Sequence, residues 1–458
     1  MKKNVLLSSI ATIALCLCLI AGSTFALFTS RSEVNIAVTA GKVEMLAGVA
    51  ITSVESVEKA TAGATDVVVD ENGAEYAWSY SDTTAPYNFI NGGTAVVNGA
   101  VLTVDKITPG DRINLSVSGT NNSDVAIQYR YIVECVDGYK LMDGLKITVG
   151  GATYSSLASY TSVWAPLAAN TDMPVENITI ELPVSAGNEY QEKTTSIKVI
   201  VEAVQGNGVV EDNTTPVVVN IPKVTNETEL EDALKNPAIP AINILEDVAG
   251  TFTVDYDLSN KTILVNGNDA SFAFSGKLEN VVVDGIVDNG DATPAVTLNG
   301  ATGDITIMNS VMTDHNSLPY GAVAGGNADL SVTIKNCELS GARPVYNAGP
   351  VKSLTIVDSK ITDTSSWAVL MNAEVYGDIV IDNCTFVNCV GLFKATRAVS
   401  GDFTFTNNEI IDCVTKNGFY VDAKVDGEVT VSGNTMTFAG VVVDADVTVA
   451  DLLGLVKN

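Results

Sequence analysis

Val332-Thr-Ile-Lys-Asn-Cys337, Leu354-Thr-Ile-Val-Asp-Ser359 and Ile379-Val-Ile-Asp-Asn-Cys384 are three versions of one six-residue phrase. Two apolar residues flank an alternating position, and an Asn or Asp and a small residue close the phrase two places on. Further copies begin at Val281, Ile305, Phe403 and Val429, and Ile242 and Ile263 open two earlier ones. Among the later starts the widest step runs from Ile305 to Val332 and the narrowest from Val332 to Leu354. One short apolar strand per unit, at a loose period in the twenties, predicts a right-handed parallel β-helix. The first and third residues of each strand enter the core, and the chain climbs one rung per unit. Rungs sit about 4.8 Å apart, so about eight or nine of them make a rod of about 40 Å. A leucine-rich repeat has a similar period, but its leucines are missing.

The columns of this stack have their own chemistry. Asn309, Asn336, Asp358, Asn383 and Asn407 fall at one position, as expected of a tight turn, because Asn and Asp tolerate the left-handed conformation. Stacked side chains of this kind can also form a ladder. Next to them stand Ser310, Cys337, Ser359, Cys384 and Asn408. Cys389 and Cys413 share a later column, where a redox pair competes with the reading we favour, small buried hydrophobes in a stack. A further column holds Asp314, Asp363, Asn388 and Asp412, beside His315 and near Arg343, Trp367 and Arg397. Asp314, Asp363, Asp412 and Arg397 are the catalytic candidates. They would act as acid and base in glycoside cleavage, or the acids would bind Ca²⁺. The competing reading is that each is a turn residue just past a strand.

Upstream, Asn226 with Glu229 three residues on is a capping-box-like start to a short helix, with Leu230, Ala233 and Leu234 on one face. Such a helix would plug the end of a solenoid. With it, residues 224–458 resemble pectate-lyase-like right-handed β-helix proteins, in architecture rather than in any catalytic motif.

The chain before residue 208 reads differently. Ala100-Val-Leu-Thr-Val104, Ile127-Gln-Tyr-Arg-Tyr-Ile-Val133, Ile178-Thr-Ile-Glu-Leu182 and Ile197-Lys-Val-Ile-Val201 alternate with period two, between strong turn formers such as Thr108-Pro-Gly-Asp111. Short alternating strands predict an antiparallel jelly roll or β-sandwich over residues 27–207. Gly206-Asn-Gly208, Thr215-Pro216 and Pro222 place a linker at 208–223.

The N-terminus, as far as Ala26, has the parts of an export signal. Lys2 and Lys3 precede an apolar run, and Thr24 and Ala26 are small, so cleavage is expected between Ala26 and Leu27. An uncleaved anchor is the alternative. Thr24-Phe-Ala-Leu-Phe-Thr29, Ala40-Gly-Lys-Val43 and Ile107-Thr-Pro-Gly-Asp111 leading into Asn121-Asn-Ser123 resemble the TasA/camelysin family. The resemblance extends as far as Asn207 and is diffuse between Ser53 and Asn98. It implies a signal cut by a SipW-type signal peptidase, an extracellular matrix or surface-fibre role, and addition of the first mature segment as a strand to the next subunit. Val34, Ile36 and Val38 would be the strand donors; the alternative is that this segment is the first strand of its own sandwich. Camelysin's description as a metalloprotease gains nothing here, since this region has no histidine.

Composition narrows the chemistry. Signal cleavage takes the net charge from −29 to about −31, which repels nucleic acid and anionic membranes. Charged residues are only 17% of the chain and apolar ones 46%, unlike a disordered acidic tail. His315 is the single histidine, and the five cysteines outside the signal show no CxxC spacing, so no metal site is expected beyond Ca²⁺. The sequence therefore points to an extracellular structural or adhesive protein of a Gram-positive surface or biofilm matrix, self-associating into fibres, with polysaccharide as a further partner. A secreted polysaccharide lyase or hydrolase anchored by the matrix domain is the alternative.

Overall fold

The computed structural model describes residues 29–33, 38–40 and 43–443, apart from 62, 66, 71, 191, 207–213, 246–249, 267–269, 289, 291–293, 316–320, 414–418, 422–424 and 439. Thr24, Ala26, Leu27, Val34 and Ile36 lie outside the described residues. The chain divides into two compact units, Met1–Asn220 and Ile221–Asn458. Nearly all regular structure is β. No helix among the described residues is long and apolar enough to cross a membrane.

The first unit is an antiparallel sandwich. One sheet centres on Ile127–Asp137 and Thr194–Gln205, paired along their length; the other centres on Val43–Lys59 and Asp111–Asn121. Alternation explains the interior. Ile113, Leu115 and Val117 point inward from one sheet and Ile197, Val199 and Val201 from the other, all at most 1% exposed. At Val199, Ile200 and Val201 the alternation gives way, because both faces of the strand are covered there. The far edge of Thr194–Gln205 is shared: Val101–Asp105 pairs with residues 194–198, and the N-terminal strand Thr29–Glu33 with residues 200–204. Val217–Asn220, placed in a linker by its flanking prolines, is a strand on Leu157–Thr161. Three consecutive β-branched valines outweigh Pro216 and Pro222, which sit just outside the paired segment.

The second unit is a parallel β-helix. Each complete coil carries three strands rather than one. The recurring phrase forms the first face, in the register read from the sequence: Val281, Ile305, Val332, Leu354, Ile379, Phe403 and Val429 stack in one column. A second face stacks Met312, Leu339, Ile361, Phe386, Ile410 and Met436. A third stacks Val323, Val345, Val369, Phe393 and Phe419. Val351, Val375, Val399 and Val425 bridge at the corner that returns to the first face. The core closes between faces: Phe393 lies 4.9 Å from Phe403 and Phe386 5.8 Å from Phe405, ring centre to ring centre. Beyond Thr435–Phe438 the pairing turns antiparallel, with Val441–Val443.

The helix Glu227–Lys235 begins as its sequence predicts. Asn226 Oδ1 accepts from the Glu229 amide at 3.0 Å, Glu229 accepts from the Thr225 amide, and Leu230, Ala233 and Leu234 are buried. Its far end is held by a buried lysine. Lys261, 4% exposed, donates from Nζ to the carbonyls of Asn236 and Ile239.

Candidate functional site

The polar columns meet the rod at its two tight corners. At the corner between the first and second faces, Asn309, Asn336, Asp358, Asn383 and Asn407 all hold φ between 50° and 56°. Only Gly, Asn and Asp adopt this region at little cost, so the corner dictates the residue type. Their side chains connect rungs. Asn336 Nδ2 donates to Asn309 Oδ1 at 2.7 Å, and Asn383 Nδ2 to Asp358 Oδ1 at 2.7 Å. Directly inside, Ser310, Cys337, Ser359, Cys384 and Asn408 are at most 3% exposed. Ser359 Oγ accepts from the Cys337 amide, and Asn408 Oδ1 from the Cys384 amide.

The four candidate residues do not converge. Asp314, Asp363 and Asp412 stand at the corner between the second and third faces, with φ of 59°, 51° and 51°. Arg397 follows the third-face strand Gly391–Ala395, at a different corner, and its Nη1 donates to Thr396 O. All four are exposed. Asn388, φ 53°, separates Asp363 from Asp412, and its Nδ2 donates to Asp363 Oδ1 at 2.8 Å. Between Asp314 and Asp363 the column is interrupted by a bulge that pairs His315 with Gly341. A Cβ at Gly341, where φ is 121°, would lie 2.3 Å from His315 O, so no side chain fits there.

His315 faces away from Asp314 into the interior, 2% exposed, with Nε2 3.6 Å from Asp288 Oδ1. The pairing with Asp288 was not read from the sequence. Spacing does not signal it: Asp288 is in register with Met312 on the next rung, and His315 stands three residues beyond that, past the left-handed position at Asp314. Of the neighbouring residues, the Arg343 guanidinium lies 5.8 Å from the Tyr346 ring and Lys394 Nζ 5.7 Å from the Trp367 ring. Among the described residues, no three of His, Cys, Asp and Glu gather closely enough to hold one metal ion.

The five cysteines among the described residues are all thiols and all buried. Burial pushes Cys337 up to about 11, and Cys135 and Cys384 up to about 12, so none of these three is a thiolate at neutral pH. Cys389 and Cys413 differ in touching each other across adjacent rungs. Cys413 Sγ accepts from the Cys389 amide at 3.3 Å, and the thiol of Cys389 reaches the carbonyls of Ile361 and Val387. The Cys413 side chain beside it, with burial, raises the Cys389 pKa, and the Cys389 contact lowers that of Cys413.

In the sandwich, the motif residues lock turns and strand ends. Asp111 is 1% exposed; its carboxylate accepts from Ser56 Oγ at 2.5 Å and from both the amide and hydroxyl of Thr108 at 2.7 Å. Burial, only partly offset by these bonds, raises its pKa. Asn121 Nδ2 donates to the carbonyls of Val125 and Ala168, its Oδ1 accepts from the Ser123 amide, and Ser123 Oγ accepts from the Glu44 amide. The N-terminal segment adds backbone pairing. Thr29–Glu33 lies antiparallel to residues 200–204, and Val38, the one described donor candidate, opens the strand Val38–Ala40, which pairs with residues 43–45 of the same chain.

A family model described as a right handed beta helix region matches residues 294–449. This match and the stacked faces agree on the architecture of the second unit. No curated protein matches the chain.

Proposed function

We propose that the protein is a secreted structural or adhesive component of a Gram-positive cell surface or biofilm matrix, with the β-helix as a displayed rod and the sandwich as its assembling domain. The observation that carries this reading is the use of the rod's polar columns. Asp314, Asp363 and Asp412, the residues best suited to acid–base work, hold left-handed corner positions, and the bond from Asn388 to Asp363 links one rung to the next. That is a task of building a stack. The likeness of the chain before Gly208 to the TasA/camelysin family supports the matrix setting, and processing by a SipW-type signal peptidase after Ala26 belongs to the same reading. The position of Thr29–Glu33 on a sheet edge supports assembly by strand exchange.

The test is electron microscopy of the chain beginning at Leu27, paired with a cleavage assay on polygalacturonate with and without Ca²⁺. Filaments or surface-bound rods without turnover are expected. Turnover that disappears in Asp363→Ala would replace this reading with a polysaccharide-cleaving one.

A further inference from the structure

Five cysteines lie among the described residues, and the fold permits few of them to meet. Cys135 belongs to the first unit. Cys337 and Cys384 share a column but stand two rungs apart with Ser359 between them, about 9.6 Å at the usual strand spacing. That exceeds the reach of a disulfide, whose Cα atoms are about 4.4–6.8 Å apart. Cys389 and Cys413 follow Val387 and Ile411, which are in register on neighbouring strands. Their Cα atoms are therefore about 4.8 Å apart, within that range. Both side chains point into the same buried column, at 0% and 5% exposure.

We propose that Cys389 and Cys413 are a disulfide-forming pair that staples one coil of the rod to the next when the chain folds in oxidising surroundings. The bond closes a loop carrying the third-face strand Gly391–Ala395, the return corner at Val399 and the first-face strand Phe403–Thr406, a full turn of the solenoid. A coil in such a stack is held only by its neighbours, so a covalent link across one rung resists unwinding there.

The oxidant is a small-molecule disulfide. The Cys413 thiolate attacks one of its sulfurs, forming a mixed disulfide and releasing one small thiolate. Cys389 then loses its proton to that thiolate and attacks the Cys413 sulfur, breaking the mixed disulfide; the second small thiolate leaves and takes up the proton that Cys413 gave to solvent. Two protein S–H bonds are exchanged for one S–S bond, and the small disulfide is reduced to two thiols. Because both sulfurs are buried in the finished rod, the exchange belongs to folding or to local opening.

The experiment refolds the chain from denaturant in a buffer of oxidised and reduced glutathione, alkylates it under denaturing conditions and weighs it. Three alkylated cysteines are expected outside the signal, with a mass lower by two hydrogens at the remaining pair and a digest peptide linking residues 389 and 413. The oxidised chain should melt about 5 °C above the reduced one, and Cys413→Ala should abolish both the link and the difference. Five alkylated cysteines after oxidative refolding would overturn the proposal, as would a bridge between any other pair.

Discussion

Asp111 is a carboxylate buried at the entry to a sandwich strand, and burial is the largest influence on its proton. Its raised pKa means that the folded chain binds the proton more tightly than the unfolded chain. Stability from this group is full below the unfolded value, about 3.9, and is lost as pH rises through the folded value. Compared with Asp111→Asn, the wild-type chain should therefore gain in relative stability as pH falls from 7 toward 4. Thermal unfolding of both chains across this range checks the sign; a wild-type advantage that shrinks on acidification would contradict it. The importance of Asp111 as a turn former was legible in Thr108-Pro-Gly-Asp111, because turn chemistry is local. The corner columns were legible for the same reason: one left-handed position per coil selects Asn or Asp each time. Gly341 and the bulge at His315 were not, because a slip in register leaves no mark on either strand's own pattern.

At the scale of elements, the first face was visible because its strands from Lys277–Asp284 to Phe403–Thr406 each bury residues two places apart. Lys360–Thr362 buries only Ile361, and Thr385–Val387 only Phe386, so the second face shows no alternation to read. Its column emerges only once rungs are superposed. The capping helix was legible at its start and hidden at its end. Asn226 and Glu229 are sequence neighbours, whereas Lys261, 25 residues beyond Asn236, reaches the carbonyls of Asn236 and Ile239 in the turn that follows the helix. Lys261 loses solvation there, which lowers its pKa, yet it supplies charged donors to two carbonyls. Lys261→Met keeps the aliphatic stem and removes both bonds. It should cost about 2 kcal/mol in denaturant unfolding and speed hydrogen exchange of the amides in Glu227–Lys235. Unchanged exchange in that helix would show that its apolar face alone holds it.

At the scale of the whole molecule, the proposed assembly would turn on Thr29–Glu33. This strand pairs with the half-edge of Thr194–Gln205 that Val101–Asp105 leaves open. Its sequence, Thr-Ser-Arg-Ser-Glu, is polar throughout, and the pairing supplies main-chain hydrogen bonds along the strand. A second copy offers the same edge in the same register. Exchanging the strand between copies then conserves the bonds, and concentration shifts the balance toward the exchanged state. If each copy gives its strand to the next and receives one from the copy before, the contact does not close on itself and a filament grows. A chain beginning at Ala40 lacks the strand but keeps the edge. It should fold, remain a monomer by sedimentation, and form no filaments at concentrations where the chain from Leu27 does. A synthetic peptide spanning residues 27–39 should bind it, with the peptide's amides protected on pairing. Filaments from the shortened chain would refute exchange, and its failure to fold would assign the strand permanently to its own sandwich.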